Sequence, residues 1–212
     1  MWRAQLQRRS TERWARGIVA SVRAAPARVP DDVPVRRLAE HRDATGEPLD
    51  DQTAAVELID LLRPTVAVAR FIVLAALTLR RYPDARAFVV GSEEEQTCFV
   101  QEVRRFYPFF PFIGGRARQP FEWHGRTIAR DTGVVFDIYG TNHDTRIWDA
   151  PDEFRPARFR GWRNDAYTLV PQGAGDHATT HRGPGEWITI ALIRQAARLL
   201  ATECRSEVPE QD

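Results

Sequence analysis

The stretch from Asp51 to Arg80 most limits what this chain can fold into, because it reads as one helix. Roughly 30 residues at 1.5 Å each would reach about 45 Å, so other elements must be arranged along it. Pro64 stands inside it, removing a backbone donor and bending the helix at a cost of about 3 kcal/mol. The most apolar part, Val66 to Leu79, is interrupted by Arg70 and preceded by Arg63 and Pro64. That run is too short and too charged to span a bilayer, so a buried core helix and no membrane span are expected.

A helical block over residues 2–24 comes first, ending before Pro26, and a short helix is expected over Val35 to Arg42. After Tyr82-Pro83, further helices are expected over Ala85 to Val90 and Glu93 to Tyr107. The texture then changes. Phe121 to Trp123, Arg126 to Ala129 and Gly133 to Tyr139 read as short strands around the His124-Gly125 and Asp131-Thr132-Gly133 turns. The expected fold is mainly α with a small β element, in one domain over 1–212. Its parts are helices over 1–107, the β element over 108–140, loops over 141–185 and a final helix over 186–205. That helix carries apolar residues at Ile188, Ala191, Leu192, Ala196 and Leu199.

Charge excludes some functions. Thirty basic residues, all arginine, face 29 acidic ones, giving +1, so nothing argues for a nucleic-acid or membrane partner. Cys98 and Cys204 make no disulfide framework, which suits a reducing cytoplasm. The five histidines, His41, His124, His143, His177 and His181, match no zinc pattern.

Three segments carry chemistry. Glu102 and Arg105 lie three apart on one helical face. Arg63 sits beside Pro64 on an apolar element, where it is either a surface arginine reaching water or a ligand-binding group. Residues 171–189, PQGAGDHATTHRGPGEWIT, form a glycine-rich loop whose Gly173, Gly175 and Gly185 permit a tight path.

In collinear order these motifs resemble the C-terminal half of a cytochrome P450, most closely the hydrogen-peroxide-using fatty-acid peroxygenases. The resemblance implies haem as cofactor, and a long-chain fatty acid, hydroxylated near its carboxylate, and hydrogen peroxide as substrates. In that family the loop ends His-Arg-Cys-Pro-Gly-Glu and the cysteine thiolate ligates iron; here that position is Gly183. Thr180 stands where the family usually has glycine, which would strain a left-handed backbone. By the same resemblance Arg63 binds the substrate carboxylate and Pro64 shapes the helix, as the catalytic pair. His181 touches a haem propionate, and Arg182 and Gln172 contact the pocket. Glu102, Arg105 and Arg158, the last within Phe154 to Phe159, brace the fold, and the aromatic run Arg105 to Phe112 lines the cavity.

Truncation and the lost thiolate imply an inactive or impaired chain, so whether it is an enzyme is open. The alternatives are a non-catalytic fatty-acid- or haem-binding remnant, or a haem protein with a histidine or water ligand and weak peroxidase activity. A further chain supplying the missing N-terminal half is the expected partner.

Overall fold

The computed structural model describes residues 2–163, 165–180 and 182–204. Its contacts divide it into two units, Met1–Ala67 and Val68–Asp212, and one helix runs through the boundary.

The first unit holds α1 (Trp2–Ala24), α2 (Pro34–Ala39) and the first half of α3 (Asp51–Arg81). Ala15, Val19 and Val22 recur at helical spacing along α1 and bury against Ala39, Ala54, Ala55 and Leu58. Arg23 ties the three together, donating to the Asp51 carboxylate at 2.5 Å and to the carbonyls of Ala39 and Leu49 at 3.0 and 2.7 Å. The Asp50 carboxylate accepts from the Gln52 and Thr53 amides at the start of α3, satisfying donors that a helix start leaves open.

In the second unit the rest of α3 is followed by α4 (Arg86–Val90), α5 (Glu93–Phe106), α6 (Ile138–Asn142) and α7 (Glu186–Thr202). Ser92 and Glu95 form a reciprocal capping box that fixes where α5 begins. Val68, Phe71 and Ala75 of α3, Val89 of α4, Phe99, Val100 and Val103 of α5, and Ile193, Ala197 and Ala201 of α7 make the main core with Phe154.

Between α5 and α6 lie two nested antiparallel pairs. β1 (Phe112–Arg116) pairs with β4 (Gly133–Asp137), with Phe112 opposite Asp137 and Arg116 opposite Gly133. Inside them β2 (Phe121–Trp123) pairs with β3 (Arg126–Ile128). His124 and Gly125 have φ of 46° and 71°, the positive pair that a two-residue hairpin turn requires.

The mainly helical fold with a small β element is the one expected, and several details differ. β1, α6 and a 3-10 turn at Pro156–Phe159 were not expected from the sequence. The strand read to Tyr139 stops at Asp137, whose carboxylate accepts the Gly140 amide at 2.7 Å and starts α6.

The reading of Val66 to Leu79 as a buried core segment is corrected. Only the stripe Val68, Phe71, Ala75 and Thr78 is buried, while Val66 and Val73 are 74% and 66% exposed. The whole helix is long and apolar enough to cross a membrane by length and composition, with 22% of its apolar window buried in the protein. On α7 the buried stripe is Thr189, Ile193, Ala197 and Ala201, whereas Ile188, Leu192 and Leu199 face outward.

Phe99 is fully buried and meets Phe154 edge-on at 6.0 Å. Phe99→Ala should cost about 3–5 kcal/mol of stability, read as a lowered midpoint in urea unfolding.

Candidate functional site

Helix α5 carries three charged side chains inward on its last two turns: Glu102, Arg104 and Arg105, all fully buried. They build two separate clusters.

In the first, Arg105 grips Glu102 with two parallel bonds, Nε to Oε2 at 2.7 Å and Nη2 to Oε1 at 2.8 Å. Its remaining donors reach the carbonyls of Asn142, Pro151 and Glu153. Glu102 also accepts the Arg155 amide at 2.8 Å and Arg158 Nε at 3.2 Å. Arg158 goes on to the carbonyls of Asp149, Ala150 and Glu153. Burial lowers the Arg158 pKa, and the Glu102 charge opposes that shift. The segment 142–158 is thus pinned to α5 through Glu102 and Arg105 together.

The second cluster centres on Glu186, the first residue of α7. Its carboxylate receives Arg104 Nη2 from α5, Arg182 Nε at 2.6 Å, and a hydrogen bond with His177 Nε2 at 2.8 Å. Burial alone would raise the Glu186 pKa. Arg182, Arg104 and His177 outweigh it and hold the group down to about 2. The His177 ring lies 4.0 Å from the Trp187 ring.

Between these anchors runs the glycine-rich loop. The Gly183 amide donates to the Gln172 carbonyl at 2.8 Å, and the Gly183 carbonyl accepts the Glu186 amide at 3.1 Å. Gln172 accepts from Arg104 at 3.1 Å and donates to Thr189 at 3.3 Å. Gly173 and Gly175 have φ of 97° and 88°, which favours glycine. Gly185, with φ of −83°, makes no such demand. A Cβ at Gly183 would lie 3.3 Å from the Gln172 carbonyl oxygen, a tight contact but not a collision.

The strain expected at Thr180 is absent. Among the described residues the non-glycine positions with positive φ are His124, Asp131 and Ala150. Thr180 instead turns its hydroxyl onto the carbonyls of Ala174 and Asp176, at 2.8 and 2.6 Å. Gly175 leaves it room, since a Cβ there would meet Thr180 Oγ1 at 2.5 Å.

Comparison with known proteins places this arrangement. The cytochrome P450 family matches residues 97–178, which include the Glu102 cluster. Cytochrome P450SP alpha, solved in complex with (R)-ibuprophen, superposes on 98% of this chain with a TM-score of 0.89 and 45% identity. The chain belongs to the cytochrome P450 superfamily. Cytochrome P450EX alpha with myristic acid is 41% identical over 97% of the chain, and a single-residue variant of cytochrome P450 OleT with arachidonic acid is 36% identical, both with a TM-score of 0.87. Cytochrome P450 137 of Mycobacterium tuberculosis is 33% identical over 144 residues, 65% of this chain. The chain spans about half the length of the solved P450s, 51% of P450SP alpha, and 30% of P450 137.

Among the residues singled out in the sequence, Glu102, Arg105 and Arg158 meet, and Arg182, Gly183 and Gln172 share the glycine-rich loop. His181 lies outside the described residues. Arg63 belongs to the first unit, with a side chain 79% exposed and 3.2 Å from Asp60. Helix α3 continues through Pro64 without a break in its helical assignment.

Sequence reasoning missed Arg104, Glu186 and His177 as one cluster. Arg182 and Glu186 lie four apart, a spacing that could have signalled that pair, but their link to Arg104 spans 82 residues and left no local trace.

Glu102→Gln leaves Arg105 and Arg158 without their buried counter-charge, and should cost about 3–5 kcal/mol in chemical denaturation. The lowered pKa of Glu186 favours the folded state above its ordinary value of 4.5, and that contribution is lost as pH falls towards about 2. Urea midpoints measured across that acid range should fall less steeply for Glu186→Gln than for the parent protein.

Proposed function

We propose that this chain is a fatty-acid-peroxygenase-type P450 that no longer carries out haem-thiolate chemistry and retains a carboxylate-binding arginine. Gly183 carries the reading. The position that the family resemblance assigns to the iron's thiolate has no side chain, and its amide is already committed to Gln172. The nearby donor His177 is held by Glu186, Cys98 is buried against α5's neighbours, and Cys204 is exposed at the end of α7. The residues present therefore do not fit a thiolate-ligated haem, and no reaction step is assigned to this chain through that group.

What remains is recognition. Arachidonic and myristic acids, bound in the two solved relatives, are carboxylic acids. Arg63 is exposed enough to meet such a group and carries the planar fork of donors that matches a carboxylate. In an active relative the same carboxylate would serve peroxide chemistry; in this chain we assign Arg63 binding alone, with Pro64 fixing its helix. Fatty-acid binding without haem is thus favoured over residual peroxidase activity through a histidine or water ligand.

The exposed apolar residues fit the half-length match. Val66 and Val73 of α3, and Phe112, Ile113, Val135 and Phe136 of the β1–β4 pair, face solvent. A two-stranded sheet is marginal alone, and polypeptide corresponding to the other half of a P450 is the partner proposed for these faces. The two free cysteines suit a reducing cytoplasm.

Purified protein supplied with haem and carbon monoxide should give no thiolate-type difference spectrum; such a spectrum would sink the reading. Arg63→Ala should weaken long-chain fatty-acid binding at least about tenfold, the scale of one lost charge-assisted contact.

A further inference from the structure

Glu186 draws in side chains from three parts of the second unit: Arg104 from α5, and His177 and Arg182 from the two arms of the loop before α7. The carboxylate and its two arginines are nearly or fully buried, with side-chain exposures of 0% for Arg104, 4% for Arg182 and 6% for Glu186. Gln172 adds a second tier, bonded to Arg104 and Thr189 by its side chain and to Gly183 by its backbone.

We propose that Glu186 is the positioning residue of the loop 171–185, and that this ion cluster holds the loop in shape. The loop can then keep its path with glycine at 183, because nothing in its anchoring passes through that side chain. Glycine is not needed there either: Gly183 is absent from the glycines with positive φ, and a Cβ would meet only Gln172. Anchoring and ligation are separable functions of one loop. The depressed Glu186 pKa agrees with a carboxylate held charged by its neighbours.

The proposal stands whether or not haem binds, so its test uses haem-free protein and leaves the haem reading to its own spectrum. Amide hydrogen exchange of the full chain is followed at Gly175 and Gly183 in the loop, and at Val100 and Ile193 in the core. In the parent protein the two loop amides should be protected without any cofactor. In Glu186→Gln they should exchange about a hundredfold faster or more, the scale expected when a buried charge loses its partner. That exchange should also become independent of low denaturant, the mark of local opening, while core amides keep their denaturant dependence. Glu102→Gln, which breaks the other cluster, should speed loop and core amides together.

His177→Gln is the milder variant if Glu186→Gln does not fold; it removes one bond to the carboxylate and should speed the loop amides several-fold without moving the core ones. Unprotected loop amides in the parent protein, or loop amides that track the core in Glu186→Gln and His177→Gln, would overturn the proposal.

Discussion

The Glu102 carboxylate is fully buried, and the centre of the second unit is arranged around satisfying it. Arg105 meets it from the same helix, Arg158 and the Arg155 amide from more than fifty residues downstream. An isolated buried carboxylate would be prohibitive. The downstream segment must therefore return to α5, and the carbonyls of 142–153 are drawn in to complete the two guanidinium groups. Trp148 and Phe159 then pack beside Cys98 on another face of the same helix. Such a network contributes little net stabilisation, but removing one partner leaves a buried charge uncompensated.

Elements governed by local rules were legible in the sequence. The bounds of α1, α3, α5 and α7 follow apolar spacing, helped at the starts of α3 and α5 by caps, and the His124-Gly125 turn announces its hairpin. Elements whose cause lies elsewhere were not. β1 has Gly114 and Gly115 in its middle and is a strand only because β4 pairs with it. The burial of α3 was overestimated because hydropathy counts apolar residues and cannot say how many neighbours arrive to cover them. At the site, the Glu102–Arg105 pair showed as a spacing and Arg158 through a family motif. Arg104 shares its helix with two residues bound elsewhere, and only the folded chain reveals that it faces the loop.

Thr180 shows how one departure from a family pattern can be absorbed. A threonine where glycine is usual looked costly, yet the neighbouring Gly175 takes up the positive φ and the hydroxyl closes two carbonyls of the turn. Gly183 differs in kind, because its backbone has no positive φ and a Cβ there would meet only Gln172. The two substitutions sit three residues apart and act on separate properties of the loop.

The absence of lysine, met first as a matter of composition, bears on both buried clusters. Each sets two guanidinium groups against one carboxylate. Guanidinium groups hold their protons far more firmly than ammonium groups do. Burial pulls Arg104 and Arg158 below their ordinary 12.5, and in each case the adjoining carboxylate pulls back. With lysine in those places, mild alkali would strip the charge and dissolve the cluster. With arginine around Glu186, the carboxylate held down to about 2 is the member that gives way first, so that cluster comes apart from the acid side.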